Sequence, residues 1–455
     1  MDIRKPITVV MIIAVTFVLW GCPSPTPPET GPADQGEQVT DVEMWTIWNT
    51  EPRKSALAHL VEDFEARHPD INVNVTHVEP DAYKTRIRVA LGGNQPPDIY
   101  FVWSGEKMLH NFVRGGQVAG LNAYLDANDG DWRKRLIPAS LDRFTFDDTV
   151  RGIPYLLQCT FFFYNKDMFE KHGWQVPGTF SQLLTLCETI KQTGVTPIAL
   201  GNVPKWPAHH FPFVLTQRLM GKEASEAQYN PTGPGDYSDP AFTRALSMFQ
   251  DMAGRGFFNR SPNATTRQMA RALFYSGRAA MFYTGTWDFA RFSEGGEAPE
   301  EFRDAWDFFN FPAVKGGEGN QEALAGSPDG YVIHADSEVQ DAAAAFLEFM
   351  TTTDAARQFV TECQELVQVK GAVTSENAGP RLQKYARIVE DADTITPWMD
   401  TMMVRTVAEE YMNGVQALID GDTTPEEVMQ QVRKRQALVK ERMQNGRVPD
   451  ESMEE

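Results

Sequence analysis

Aromatic side chains with small polar or acidic companions recur where strands are predicted to end or loops to turn: Trp48 and Asn49, Trp103 and Ser104, Tyr155, Trp206, Trp287, Asp329 and Trp398. A sugar presents apolar C–H faces and a rim of hydroxyls, so a site for it needs flat rings to stack on and carboxylates or amides to exchange hydrogen bonds. The stretch 277–289, GRAAMFYTGTWDF, concentrates both kinds of group. It reads as a turn at Gly277, an apolar strand over 279–283, and a bend at Gly285 that ends on Trp287 and Asp288. Glycine in that bend lets the backbone approach another group, and the indole adds a flat apolar face with one N–H donor. The alternative for Trp287 is a place in the core, where large aromatics are equally at home. Trp45 and Trp48 fall on opposite faces of a regular strand, and Trp48, at the strand end, is the one expected to face a ligand. Trp206 lies in a proline-flanked loop and is a further candidate wall, while Trp398 divides between ligand and core.

Catalytic chemistry has no comparable footing. No nucleophile elbow, HExxH pair, GxxxxGK phosphate loop or dinucleotide fingerprint after a strand occurs. Asp and Glu are plentiful, but a glycosidase pair is defined by a separation in space of about 5–10 Å that sequence does not carry. Of eight histidines only His209 and His210 are close together, and with no second ligand set nearby they read as loop residues, not as a metal site. No catalytic residue, metal or cofactor is therefore expected. The alternative from another class is a surface glycoside-processing enzyme. Within binding, the alternative is another polar solute such as a glycerol phosphate ester, for which Arg53, Lys205 or Arg405 would supply positive charge.

The elements that must position these groups follow from length and pattern. A chain of 455 residues with 42% hydrophobic and 11% aromatic content builds two or three domains with large cores. Its formal charge of −20, from 42 basic and 62 acidic residues, excludes nucleic acid and anionic membrane surfaces as partners, because an acidic surface is repelled by both. At the N-terminus, Arg4 and Lys5 precede an apolar run over 7–19 that is short for a membrane span. It ends on Leu19-Trp20-Gly21-Cys22, which resembles a bacterial lipoprotein signal, with Trp20 departing from the small residue usual there. Processing would leave Cys22 as the lipid-modified first residue, and an ordinary signal peptide is the alternative. Residues 22–41, rich in proline and small polar residues, read as a disordered tether. Cys159, Cys187 and Cys363 show no CxxC spacing, and a Cys159–Cys187 disulfide and free buried thiols both stay open.

Beyond the tether the pattern alternates strand and helix. Strands are predicted at 42–48, 72–78 and 97–103, with amphipathic helices at 55–68 and 82–91 between them, which points to a parallel sheet. Trp103 and Ser104 then sit at a strand's C-terminal end, the edge at which open α/β sheets bind ligands. Asp98, after Pro96-Pro97, is read as bracing a turn instead of touching ligand. Helices at 180–192, 211–220, 240–253 and 266–275 follow, and the chain is helical from about 341 apart from Pro397-Trp398-Met399. Thr424-Pro425-Glu426-Glu427 is a plain helix start.

The ordered series of Trp45-Thr46-Ile47-Trp48, then 90–100 (ALGGNQPPDIY), 115–121 (GGQVAGL), Gly152-Ile153-Pro154-Tyr155, 163–169 (FYNKDMF) and Pro177-Gly178-Thr179-Phe180 resembles the extracellular solute-binding proteins of sugar ABC importers, family 1, of the maltose-binding-protein type. The motif at 277–287 and an AxxFLxFM helix at 342–350 continue it, so the resemblance spans 42 to about 443. It implies an α/β, two-lobed periplasmic-binding-protein fold of type II whose lobes are joined by three hinge crossings. Lobe 1 is expected over 42–157 and 288–332, and lobe 2 over 158–287 and 333–455. Tyr155 would stand at the first crossing, Trp287 at the second and Asp329 at the third. The implied ligand is a sugar, a small oligosaccharide, held in the cleft by a monomer and delivered to ABC permease subunits in the membrane. The body would lie outside the cytoplasmic membrane, lipid-anchored through Cys22.

Overall fold

The computed structural model describes residues 39–93, 95–229, 233–293 and 295–445. The signal segment, Cys22 and most of the tether lie outside them. The tether's expected end at 41 moves slightly, because the strand Thr40–Thr46 has already begun there. Among the described residues no helix is long and apolar enough to cross a membrane.

The strand order is Ile71–His77, Thr40–Thr46, Ile99–Trp103, Leu324–Ile333, Ile153–Asn165, Ala279–Gly285, Thr196–Ala199. Thr40–Thr46 is parallel to both its neighbours, as strand–helix–strand alternation predicts. Leu324–Ile333 then runs antiparallel to Ile99–Trp103 and to Ile153–Asn165. Ile153–Asn165 is the strand that joins the two halves. Its first part pairs with Leu324–Ile333 and its last part with Ala279–Gly285 and Trp306–Phe309.

Side-chain alternation on these strands separates two cores. Phe161, Phe163 and Phe282 point into one cluster, whereas Phe162, Met281 and Tyr283 point into the other. The first cluster gathers Thr40–Thr46, Ile99–Trp103, Arg53–Glu65 and Pro80–Gly92. The second gathers the helices Phe180–Gln192, Trp206–Met220, Pro240–Gly254, Arg405–Asp420 and Pro425–Gln444. Capping boxes, Thr179 with Gln182 and Thr424 with Glu427, satisfy the first amides of two of these helices.

Two segments pack differently from what the expected lobe bounds imply. Gln340–Met350 and Thr353–Cys363 were expected in lobe 2, yet Phe346 packs 5.1 Å from Phe64 and Phe359 5.0 Å from Trp48. The reason is the third crossing: Leu324–Ile333 enters the first sheet beside Ile99–Trp103, and the helices that follow cover that sheet. Conversely, Trp306–Phe309, expected with lobe 1, pairs with the far end of Ile153–Asn165. Asp98, read as bracing its turn, instead ties the neighbouring strand and a later loop, accepting from the Glu43 amide at 2.9 Å and the Ser337 hydroxyl at 2.6 Å. All three described cysteines are buried free thiols.

At the crossing, Gly326 lies so close to Ile153–Asn165 that an added Cβ would meet the Gln158 carbonyl and the Cys159 sulfur. Gly326→Ala should cost about 1–3 kcal/mol by overpacking, read as a lowered urea midpoint at constant slope. Gly92→Ala, with open space around it, should leave the midpoint unchanged or raise it.

Candidate ligand-binding cleft

Between the two cores lies a cleft with about 1040 Å³ of empty space including its mouth. That is at the upper end of the range of about 300–1,000 Å³ usual for small-ligand sites. Trp48 and Trp103 line it on the side of the first core, and Trp287 and Trp398 on the side of the second. Trp206 and Asp329 complete the group of expected residues that meet there.

Local structure explains each placement. Trp287 follows the strand Ala279–Gly285 in a short turn, and its six-membered ring lies directly over Gly285. The group that the glycine lets approach is thus the tryptophan itself. Trp206 is not in a loop: it starts the helix Trp206–Met220, where Pro207 in the first turn lacks only an amide that would be unpaired anyway. His209 and His210 share that helix. Trp398 precedes the short helix Met399–Met402, which also carries Asp400. The rings of Trp206 and Trp287 are 5.6 Å apart, those of Trp287 and Trp398 5.8 Å, and His210 stacks on Trp398 at 6.0 Å. Across the cleft, the Lys84 ammonium sits 5.3 Å from the Trp103 ring.

Three expected residues do not line the cleft. Tyr155 is buried against Trp48 and Phe359, because its strand is covered on that face by Thr353–Cys363. Ser104 is buried and bonded to Ser327 at 2.5 Å. Asn49 lies beyond the strand end, its amide turned back to the Ile47 carbonyl at 2.9 Å.

Charged residues that the sequence reading passed over complete the walls. Glu79 caps Pro80–Gly92 by accepting from the Asp81 and Ala82 amides, and this helix buries Tyr83, Ile87 and Leu91 while Asp81, Lys84 and Arg88 line the cleft. The spacing of 81, 84 and 88 along one face was visible in the sequence, but not that this face meets the cleft. Lys107, His210, Arg267, Arg291 and Asp400 arrive from five other elements. Most of these charges have protein partners: Lys84 with Asp81 at 3.0 Å, Arg267 with Glu79 at 3.2 Å, Lys107 with Asp400 at 3.8 Å, and Arg291 with Glu297. Arg53 grips Glu365 with two hydrogen bonds of 2.6 Å. Lys205 and Arg405 instead pair outside the cleft, with Asn413 and Glu409.

Asp329 stands apart. It sits at a bulge in Leu324–Ile333, it is 8% exposed, and its Oδ1 has no hydrogen-bond partner among the described residues. Burial pushes its carboxyl well above the usual range, against the pull of Arg53. The Trp398 indole N–H is likewise buried without a partner. Two cleft-lining groups, one acidic and one a donor, are thus left for a ligand's hydroxyls.

A two-lobed α/β body closing on an aromatic cleft defines a periplasmic-type solute-binding protein. The chain belongs to the bacterial extracellular solute-binding protein family, whose model matches residues 48–357. Membership places its body outside the cytoplasm and in the service of an ABC transporter. It is 25% identical over 353 residues to an uncharacterized ABC transporter extracellular-binding protein of Pyrococcus horikoshii, covering 76% of each chain. It is 22% identical over 333 residues to the multiple sugar-binding protein of Streptococcus mutans, covering 71% of this chain and 74% of that one. A solved structure described under xylan utilization by the thermophilic bacterium Caldanaerobius polysaccharolyticus superposes with a TM-score of 0.80 at 28% identity, covering 87% of this chain and 99% of that one. The family and these neighbours are binding proteins.

The Asp329 shift fixes a pH dependence. A carboxyl whose folded pKa is raised adds stability in full below its unfolded value of 3.8 and loses it as pH rises towards the folded value. Asp329→Asn removes that loss, so the variant's melting temperature minus the wild type's should grow as pH rises above the unfolded value of 3.8. A constant difference would contradict the assignment.

Proposed function

We propose that the chain captures a sugar, a small oligosaccharide, between its two lobes and presents it to ABC permease subunits, without catalysing any change in it. The carrying observation is the set of five cleft-lining tryptophans together with the unpartnered Asp329 carboxyl and Trp398 N–H. Stacking on sugar C–H faces and hydrogen bonds to hydroxyls use these two kinds of group. The sugar-binding names and subjects of the relatives support the same reading. A phosphate ester is disfavoured, because the cleft cations Arg53, Lys84, Lys107, Arg267 and Arg291 are already engaged by carboxylates, and Lys205 and Arg405 lie elsewhere.

The lobes are assigned to the two sheets, with 340–363 moving with the first, and closure proceeds about the three crossings. Lys107 to Asp400 and Gly105 against Thr401 are contacts between segments of the two cores that closure would make and opening would break. The protein works as a monomer, held to the membrane by lipid on Cys22 and spaced from it by the tether.

A panel of neutral oligosaccharides, uronic acids and phosphate esters should raise the melting temperature only with sugars, since a ligand that binds only the folded state stabilises it by linkage. Shifts from phosphate esters alone would sink the sugar reading. Trp287 is half-buried, so Trp287→Ala should abolish that sugar shift while leaving the ligand-free melting temperature nearly unchanged. A core tryptophan would instead take about 3–5 kcal/mol with it. Cys22→Ala should move the expressed protein from the membrane fraction to the soluble exported fraction, and an unchanged distribution would refute the anchor.

A further inference from the structure

We infer that His209, His210 and Asp400 form a binding site for a divalent transition-metal ion, zinc in the first instance, set in the wall of the cleft. The three side chains each offer one ligand atom, no two of them more than 4.8 Å apart. In the sequence the histidine pair lacked a third donor. The fold supplies it from a segment about 190 positions away.

The hydrogen-bond pattern is the decisive part. His209 Nδ1 lies 3.0 Å from the Trp206 carbonyl oxygen, which only accepts, so Nδ1 carries the ring proton. Nε2 of the neutral ring is then a bare lone pair. It is completely buried and has no hydrogen-bond partner among the described residues. Facing it at 3.6 Å is Oδ1 of Asp400, another lone-pair donor. Two such atoms repel unless a proton or a cation stands between them.

The spacing suits a cation. Zinc binds histidine nitrogen and carboxylate oxygen at about 2.0–2.2 Å, so two ligands at a tetrahedral angle stand about 3.4 Å apart. The observed 3.6 Å edge is close to that. Occupancy would draw the third donor inwards by about 1 Å. Two imidazoles and one carboxylate favour zinc over calcium or magnesium, which prefer oxygen. The second carboxylate oxygen, Oδ2, is 3.8 Å from the Lys107 ammonium and stays with it, which leaves Oδ1 for the ion. Fixing Nδ1–H on a backbone carbonyl is the usual outer support of a ligating histidine. Because His210 and Asp400 line the cleft, the ion's open position would face the cleft.

The test uses the tag-free mature chain, stripped with chelator, dialysed against zinc and desalted, with metal measured by mass spectrometry and no sugar present. Wild type should retain one equivalent of zinc. Asp400→Asn and His209→Gln should each retain less than about a tenth of that, with unchanged far-ultraviolet circular dichroism. Wild type that retains no zinc, or folded variants that retain as much as wild type, overturns the inference. Cobalt(II)-loaded wild type gives a readout that needs no variant: strong visible absorption from a site of low coordination is expected, and only the weak bands of octahedral cobalt would count against it. Since sugar is absent throughout, a failed metal test leaves the sugar reading intact.

Discussion

A single buried carboxylate ties the hinge together. Glu365 is 2% exposed and is held by both arms of the Arg53 guanidinium and by the Gln158 side-chain amide at 3.2 Å. Gln158 in turn accepts from the Thr286 hydroxyl at 2.7 Å, and Thr286 accepts from the Cys159 amide at 3.2 Å. One network therefore joins the helix Arg53–Glu65, the segment after Thr353–Cys363, the first crossing and the second. A buried charge that loses its partner costs about 3–5 kcal/mol, which makes this network a strong constraint on how the crossings sit. It also presents Arg53 to the cleft beside Asp329, so hinge and site share one set of charges.

The cleft shows the same economy. An apolar, aromatic-walled space penalises every charge at its surface, and the protein answers by pairing cations with carboxylates, some within one segment and others from distant ones. Among the described cleft-lining residues, the buried atoms left without a partner are the Asp329 Oδ1 and the Trp398 indole N–H.

Much of this was legible in residue order. Alternation in 42–48 and 72–78 matched Thr40–Thr46 and Ile71–His77, and the capping signal at Thr424 was a true helix start. Six expected ligand residues, Trp48, Trp103, Trp206, Trp287, Asp329 and Trp398, converge on one cleft. The failures are instructive. Tyr155 was expected to face the cleft, but it is buried on the joining strand against Trp48 and Phe359, and a continuous apolar run does not say which face is sealed by which helix. Trp206 looked like a loop residue because prolines flank it, yet proline in a first helical turn is as natural as in a loop.

The sequence by itself determined the periods, caps and turns, because these depend on neighbours within a few residues. It also carried the aromatic character of the cleft wall, because only a few side chains are flat and apolar and still able to donate a hydrogen bond. The tertiary structure decided what depends on separations of a hundred residues or more. It set which core the helices after the third crossing cover, and that Asp400 stands 3.6 Å from His209. Such contacts arise from packing two sheets around shared strands, and no local pattern encodes them.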